Sequence, residues 1–322
     1  MERCRPPRVR AEAILADVFA DRGESEPDPD GLRRRGEGLH YTAYGTTARV
    51  DGRREAVVVR VPKPGGPEAL DHDLERSVDL RTRLVDRRDL AFDVPEPLGT
   101  ARCDTGLGAV DLRCPGFGLD EDLVRALCDP VEVVAEVTAS LHELETAAFD
   151  RLVDGPSTRR EDAQAVLQVF EEHDHPSFGD AAEWASRHLP DPDPTRLIHG
   201  DLQGRNILVG GPIDGGPECE LDTDRLAVLD WSATQMGDPA YDLALVSRGR
   251  RQVFADDDRE LEDLVEAYNA HAEAPLAVAE VRLWELWLTA DAFLDTLEET
   301  GRSAQAEQRL VEFESVLERC CN

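Results

Sequence analysis

The chain has 322 residues, of which 41% are hydrophobic, so it can form a large buried core. Acidic residues outnumber basic ones by 68 to 36, which gives a net charge of −32 at pH 7. Such a charge repels the phosphates of nucleic acids and of anionic membranes, because binding to either depends on clustered cations. The composition therefore argues against nucleic acid and membrane partners.

The composition also predicts where the protein works. No apolar run reaches the ~18 residues needed to cross a bilayer, and the N-terminal residues lack the apolar segment of a secretion signal. We therefore expect a cytoplasmic protein.

Lys63 is the one lysine among 36 basic residues. An acidic, arginine-rich surface is typical of a salt-adapted organism, because salt screens the self-repulsion of the fold.

The first part of the chain combines one helix with strands. Residues 9–22 place apolar groups at helical spacing, and the Gly, Pro and Asp residues of 23–31 indicate a linker. Residues 40–50 and 56–61 are rich in Tyr, Thr and Val, which favours strands. The Asp-Gly dipeptide at 51–52 lies between them and predicts a hairpin turn.

The remainder of the chain is mainly helical. Residues 70–84 have helical periodicity, and 109–114 form a short apolar run that predicts a strand. Beyond these, five segments show helical patterns. They are residues 130–145, 161–172, 259–271, 278–298 and 304–318.

Three short strand-like runs interrupt the helical part. They are residues 196–199, 206–209 and 225–230. A β-rich front and a helical back, with polar residues on short central strands, predict two lobes with a cleft between them. We expect an N-terminal helix and linker at 1–30, a nucleotide-binding lobe at 31–112, and a helical lobe with the catalytic loop and substrate site at 113–322.

The central strands carry residues suited to phosphoryl transfer. That reaction needs a carboxylate that accepts or orients the proton of the attacking hydroxyl, together with oxygen ligands that hold Mg²⁺ against the phosphates. Asp201 and Asn206 are five residues apart on one loop, so both can point to the same site. Asp230 ends an apolar strand, which can hold a metal-binding carboxylate rigidly.

The spacing of these residues matches a known family. His199-Gly-Asp-x-x-x-x-Asn206, followed by Asp230-Trp231 and by Gly237-Asp-Pro-x-x-Asp242, resembles the aminoglycoside/macrolide phosphotransferase family. The resemblance implies an α+β, protein-kinase-like bilobal fold. Its small N-terminal lobe has an antiparallel β-sheet and one helix, and its larger C-terminal lobe is mainly helical.

The resemblance also implies roles for single residues. Asp201 is expected to be the catalytic base, and Asn206 and Asp230 the Mg²⁺ ligands. Asp238 is expected to cap a helix N-terminus, and Asp242 to tie that helix back to the catalytic loop.

The front of the chain resembles the nucleotide site of the same family. Gly36 and Gly38 correspond to its glycine loop, where backbone amides approach the phosphates. Such kinases keep a lysine for the phosphates at the position of residue 60. This chain has Arg60 there instead, which resembles the macrolide branch of the family. Strand alternation directs Lys63 to the opposite side from Arg60. Glu75, on the next helix, fits the expected partner of Arg60 and equally fits a solvated residue on the helix surface.

Arg113 begins the expected hinge, Arg-Cys-Pro-Gly, and the resemblance places it beside the nucleotide. This segment does not distinguish ATP from GTP as the phosphate donor. The implied cofactors are therefore Mg²⁺ and either nucleotide.

The implied activity is transfer of the γ-phosphate of ATP or GTP to a hydroxyl of a small molecule. The acceptor is an aminoglycoside- or macrolide-type antibiotic or a related metabolite; a physiological sugar or amino alcohol is an open alternative. A protein kinase is disfavoured because residues 231–238 are too short for a long activation loop. A non-catalytic nucleotide-binding protein has no need of Asp201, Asn206 and Asp230 together.

Three further features are interpreted without a role in the reaction. His173 and His175 could bind a metal, but no second cluster accompanies them, which favours a surface loop. The acidic triplet at 256–258 is expected to be solvated surface in so acidic a chain. Trp284 and Trp287 lie at helical spacing, which favours core packing, with a share in an apolar substrate wall as the alternative.

Overall fold

A computed structural model describes residues 5–24, 27, 29–67, 69–149, 152–210, 222–248 and 261–321. The chain divides into two compact units. The sheet unit comprises Met1–Arg88, Phe92–Phe117 and Leu208–Ser232. The helical unit comprises Asp89–Ala91, Gly118–Ile207 and Ala233–Asn322. The acidic triplet at 256–258 lies outside the described residues.

The secondary structure confirms the α+β class. The strands are β1 Arg33–Glu37, β2 Tyr41–Val50, β3 Arg53–Pro62, β4 Pro97–Cys103, β5 Gly106–Leu112, β6 Phe117–Gly118, β7 Arg196–Ile198, β8 Ile207–Gly210, β9 Asp222–Val228 and β10 Gln235–Gly237. The helices are α1 Pro7–Asp21, α2 Ala69–Leu84, α3 Asp122–Arg125, α4 Pro130–His142, α5 Arg159–Glu172, α6 Pro176–Arg187, α7 Ala240–Arg248, α8 Leu261–His271, α9 Val278–Thr300 and α10 Ala304–Cys321. In the described part of the chain, no helix has the length and apolar character that a bilayer crossing requires.

The sheet unit is built on an antiparallel sheet with the strand order β1-β2-β3-β5-β4. The predicted hairpin between β2 and β3 is confirmed. Asp51 and Gly52 have φ angles of 50° and 79°, and this left-handed pair matches the twist of the two strands. Val50 pairs with Arg53 directly across the turn.

One face of this sheet is covered by α1. The apolar side of the helix carries Ile14, Val18 and Phe19, which are buried in one cluster with Val57 and Val59 of β3. The N-terminal helix therefore packs against the sheet. The physical reason is that the apolar stripe of an amphipathic helix needs a surface against which to bury.

The other face of the sheet is covered by α2. Leu74 of this helix packs with Leu107 and Ala109 of β5 in a second buried cluster. Because side chains alternate along a strand, Arg60 projects to this face while Val59 projects to the α1 face. The fold thus places a cationic side chain between the sheet and α2.

The helical unit is held by a cluster of aromatic side chains. The Phe178 ring centroid lies 5.9 Å from that of Phe170 and 4.8 Å from that of Phe313. Trp284 is 3% exposed, and Trp287 contacts Phe170 at a centroid distance of 6.4 Å. The prediction of core packing for both tryptophans is therefore confirmed.

The two histidines predicted to lie in a surface loop have structural roles. His173 stacks on Phe178 with a centroid distance of 4.1 Å. His175 caps α6, since its Nδ1 accepts a hydrogen bond of 3.4 Å from the Ser177 amide. Among the described residues, no group of three or more His, Cys, Asp or Glu side chains lies close enough to hold a metal ion.

Candidate active site

The loop that carries Asp201 and Asn206, which we call the predicted catalytic loop, lies in the helical unit directly after β7. β7 pairs antiparallel with β10, with Ile198 opposite Gln235, so the start of the loop is fixed by a strand pair. Gly200 has a φ of 78°, and a Cβ there would collide with the Ala233 carbonyl oxygen. Only glycine fits this turn without strain.

Asp242 of α7 holds the loop through its backbone. Its Oδ2 accepts the His199 amide at 2.8 Å, and its Oδ1 accepts the Gly200 amide at 3.0 Å. His142 Nε2 lies 3.2 Å from Oδ2. Burial by itself raises the pKa of the fully buried Asp242, but the hydrogen bonds and charges of His142 and His199 outweigh burial and lower it. The predicted tie from Asp242 to the loop is confirmed.

His142 connects this carboxylate to Tyr268 on α8. The ring Nε2 faces Asp242, and the ring Nδ1 lies 3.1 Å from the Tyr268 hydroxyl. Burial raises the pKa of Tyr268, so the hydroxyl keeps its proton. The chain of hydrogen bonds joins α4, α7 and α8 to the loop.

The structure brings Asp201 and Asn206 together on this loop. The Asn206 Nδ2 donates to the Asp201 carbonyl oxygen at 2.8 Å and to its Oδ2 at 3.3 Å. Gln203 Nε2 donates to Asp201 Oδ1. The Asp201 amide donates to His199 Nδ1 at 3.3 Å. The half-buried carboxylate is therefore oriented from several sides, and the amide oxygen of Asn206 remains for a further ligand.

Asp238 fixes the start of α7. Its Oδ1 accepts the Ala240 amide at 3.1 Å, which confirms the predicted helix cap. The same oxygen accepts Arg159 Nε at 2.8 Å, and Arg159 Nη2 lies 3.1 Å from Glu280 Oε1. The Asp238 amide donates to Asp162 Oδ2 at 2.9 Å. Burial, aided by the Asp238 charge, raises the pKa of Asp162 to about 6.

In the sheet unit, Asp230 follows β9 in an unusual backbone conformation. Its φ is 63°, in the left-handed region that few residues other than glycine adopt, although aspartate is more frequent there than most. The side chain is exposed, and Ser232 Oγ donates to its Oδ1 at 3.0 Å. The next residue is anchored, because Trp231 Nε1 donates to the Val228 carbonyl at 2.9 Å. The turn therefore presents the carboxylate outward.

Arg60 has a different partner from the one that the sequence predicted. Its Nε lies 3.2 Å from Asp111 Oδ2 on β5, whereas Glu75 is exposed on α2. Of the two interpretations of Glu75, the structure shows the exposed surface residue, and a carboxylate from the adjacent strand lies beside the guanidinium. In the described structure, Arg60 Nε and Nη2 are buried without a hydrogen-bond partner. Lys63 Nζ is 2.8 Å from Glu37 Oε1.

The predicted glycine loop lies at the end of β1. The β1–β2 pairing shifts register before Gly36, and the Gly38 amide donates to the Tyr41 carbonyl at 2.9 Å. A Cβ at Gly36 would meet no described atom within 4 Å, so the packing of the described protein does not itself require glycine there.

Arg113 follows β5 and is half-buried. Its amide donates to the Ala56 carbonyl at 2.9 Å. A few residues later, the chain passes from the sheet unit at Phe117 to the helical unit at Gly118. Gly116 has a φ of 141°, and a Cβ there would lie 2.8 Å from the Val209 carbonyl oxygen.

Comparison with known proteins identifies the class. The model of the phosphotransferase enzyme family, APH, matches residues 43–284, which include every motif described above from Arg60 to Asp242. The chain belongs to this family.

Curated relatives match parts of the chain. Viomycin phosphotransferase of Streptomyces vinaceus is 31% identical over 175 residues, which cover 49% of this chain and 56% of that protein. Acyl-CoA dehydrogenase family member 11 of Mus musculus is 25% identical over 212 residues, which cover 60% of this chain and 25% of that protein. The chain therefore spans about half the length of the first relative and a quarter of the second.

Solved structures share the fold along nearly the whole chain. The GDP complex of aminoglycoside 2'-phosphotransferase-IIIa has a TM-score of 0.63 at 17% identity and covers 98% of this chain and 99% of its own. The ternary complex of APH(4)-Ia with ADP and hygromycin B has a TM-score of 0.62 at 18% identity, with 95% and 98% covered. A choline/ethanolamine kinase family protein from Mesorhizobium loti has a TM-score of 0.57 at 18% identity, with 98% and 94% covered. The predicted protein-kinase-like fold is confirmed.

Asp242→Asn tests the anchoring of the loop. The amide nitrogen of asparagine would face a backbone N–H group. The buried negative charge beside His142 would also be lost. We expect the free energy of unfolding to fall by about 3–5 kcal/mol, measured by denaturant unfolding. Asp263→Asn on α8 removes the same charge from an exposed position and serves as the control. Equal stability of the two variants would contradict the anchoring role.

Asp162→Asn tests the buried carboxyl near Asp238. The folded-state pKa of about 6 lies above the ordinary value of 3.8. Its protonation therefore stabilises the fold below pH 4, and this contribution is lost as the pH rises through 6. We expect the variant to gain stability relative to the wild type between pH 4 and 6 and to keep a constant difference above. A difference independent of pH, measured by urea unfolding, would refute this ionisation.

Proposed function

We propose that this enzyme transfers the γ-phosphate of ATP or GTP to a hydroxyl group of a small molecule. The observation that carries the proposal is the oriented Asp201 carboxylate beside Asn206, on a loop whose backbone is held by Asp242. Membership of the phosphotransferase enzyme family supports the reaction class. We further propose that the sheet unit binds the nucleotide and that the helical unit carries the catalytic loop and the acceptor.

Asp201 is proposed to act as the base. As the acceptor oxygen attacks the γ-phosphorus, its proton passes to the Asp201 carboxylate. The bond between the γ-phosphorus and the bridging oxygen breaks, and the nucleoside diphosphate leaves. Asp201 then releases the proton to solvent. The hydrogen bonds from Gln203 and Asn206 fix the direction of the carboxylate, which is the positioning that this reaction requires.

Arg60 and the glycine loop are proposed to contact the nucleotide phosphates. The Nη2 group of Arg60 is buried without a hydrogen-bond partner in the described structure, and it fits an anion because a desolvated guanidinium N–H without an acceptor costs free energy. The open space at Gly36 lets the backbone approach a ligand. Gly38 and Arg113 complete the proposed nucleotide contacts by resemblance to the family.

Asn206 and Asp230 are proposed to hold Mg²⁺. The donors fit this ion, since the Asn206 amide nitrogen is engaged by Asp201 and leaves its oxygen, while Asp230 presents an exposed carboxylate. When bound, Mg²⁺ neutralises charge on the phosphates. The left-handed backbone of Asp230 is in keeping with a residue whose direction is set by function.

The proposed acceptor is an antibiotic of the aminoglycoside or macrolide type or a related metabolite. The likeness to viomycin phosphotransferase at 31% identity favours an antibiotic. The fold shared with a choline/ethanolamine kinase family protein keeps an amino-alcohol metabolite as the second candidate. We place the reaction in the cytoplasm, where ATP and GTP are supplied.

Asp201→Asn tests the proposed base. We expect kcat to fall by about 10²–10⁴-fold, because general base catalysis contributes this much, while the Kd for ATP or GTP stays unchanged by titration calorimetry. Asp180→Asn, an exposed change of equal charge on α6, is expected to leave both values as in the wild type. Undiminished transfer by the Asp201 variant would show that another group takes the proton.

A further inference from the structure

Between the sheet and α2 lies a buried cluster of three charged side chains, which we call the arginine triad: Arg60 of β3, Asp111 of β5 and Arg81 of α2. Asp111 Oδ2 is 3.2 Å from Arg60 Nε, and Asp111 Oδ1 is 2.7 Å from Arg81 Nη1. Asp111 is 5% exposed and Arg81 is 2% exposed. A single carboxylate therefore lies between two guanidinium groups in the interior of the sheet unit.

The strand register creates the first half of this cluster. Arg60 pairs with Ala109, and Val58 pairs with Asp111, so Arg60 and Asp111 are diagonal neighbours on one face of the sheet. Diagonal neighbours on adjacent strands are within reach of long side chains. The position of the carboxylate is thus set by the sheet itself and not by the helix.

The last turn of α2 supplies the second arginine. Arg81 Nε donates to the Ser77 carbonyl at 3.2 Å, and Nη1 donates to the Pro95 carbonyl at 3.1 Å as well as to Asp111. Burial lowers the pKa of Arg81 and Asp111 opposes this change, and an arginine keeps its charge in a protein. Arg81 is therefore a fixed cation that holds Asp111 in place.

The charges of the triad do not cancel. Two guanidinium groups face one carboxylate, so the triad itself carries one net positive charge, and the exposed Asp230 carboxylate is a further negative charge that acts on Arg81. In the described structure, Arg60 Nη2, Arg81 Nη2 and Ser77 Oγ are buried without a hydrogen-bond partner. Buried donors and buried charge without partners cost free energy, and a bound anion removes this cost. The cluster is therefore built to receive an anionic group.

We infer that Asp111, fixed by Arg81, is the residue that positions Arg60 for a nucleotide phosphate, and that the spare positive charge of the triad is what the phosphate neutralises. The inference rests on the proposed function, since it takes Arg60 as the phosphate contact. Asp111, a strand carboxylate that contacts two arginines, is the partner of Arg60 for which the sequence had suggested Glu75. Asp111 and Arg81 are positioning residues that act through Arg60.

Asp111→Asn is the direct test. Without the carboxylate, the two cations repel each other and Arg60 loses its orientation. We expect the Kd for ATP or GTP, measured by titration calorimetry in molar KCl, to rise at least about tenfold, in the range found when one member of a buried charge pair is removed. In steady-state assays, the KM for the nucleotide rises while the KM for the acceptor does not. If Asp111 had a purely structural role, the variant would lose stability, and the KM for the nucleotide would not rise selectively over the KM for the acceptor.

Three further variants complete the test. Asp79→Asn, an exposed change of equal charge on α2, is expected to bind nucleotide as the wild type does. Glu75→Gln is expected to do the same, and a large loss in this variant would return the partner role to the helix. Arg81→Lys keeps the charge but loses the planar set of guanidinium hydrogen bonds, so we expect a smaller rise in Kd. This variant provides the test if Asp111→Asn fails to fold.

The outcomes separate this inference from the proposed function. A wild-type protein that binds neither ATP nor GTP overturns both. A wild-type protein that binds nucleotide, with a folded Asp111→Asn variant of equal Kd, overturns the inference alone. A raised Kd in Asp111→Asn and Arg81→Lys, with Asp79→Asn unchanged, establishes it.

Discussion

The Asp242 carboxylate is the group on which the geometry of the catalytic loop depends. It accepts two successive backbone amides and a histidine, so a charge that is costly to bury is compensated by hydrogen bonds directed at both oxygens. Its place in the first turn of α7 adds the favourable end of the helix dipole. Asp238, four residues earlier, caps the same helix. The two carboxylates fix the helix and the loop to each other.

The same arrangement of charge recurs in both units. In the helical unit, Arg159 joins Asp238 to Glu280, and in the sheet unit Asp111 joins two arginines. In a chain with one lysine, the buried cations are arginines, whose planar set of donors can satisfy several acceptors at once. The two clusters differ in the sign of their net charge. The cluster around Asp238 has more carboxylates than cations, whereas the triad has one more cation than carboxylate.

Local patterns in the sequence predicted much of the fold. The Asp51-Gly52 turn, the long amphipathic helices and the spacing of the loop motif were visible because each depends on neighbouring residues. β1 could not be found, because Arg33–Glu37 is polar and exposed throughout and has no alternation to detect. α6 was missed because Pro, His and Gly residues obscure its start.

The candidate site was predictable only in part. Asp201 and Asn206 lie on one loop, so their spacing revealed them. The partner of Arg60 was missed because Asp111 is 51 residues away in the sequence and is brought near by strand register. Glu75 was the nearer choice along the chain, and nothing in the local pattern of α2 distinguishes it from an exposed residue. Pairings of this kind belong to the tertiary structure.

The most direct test of the account is a panel of small hydroxyl compounds, antibiotics and amino alcohols among them, incubated with Mg²⁺ and ATP or GTP and analysed by mass spectrometry. At least one compound is expected to gain a single phosphoryl group, with an equal amount of nucleoside diphosphate formed, and Asp201→Asn is expected to slow product formation by about 10²–10⁴-fold. Phosphorylation that persists undiminished in that variant, or nucleotide consumption without any phosphorylated small molecule, would contradict the proposed function.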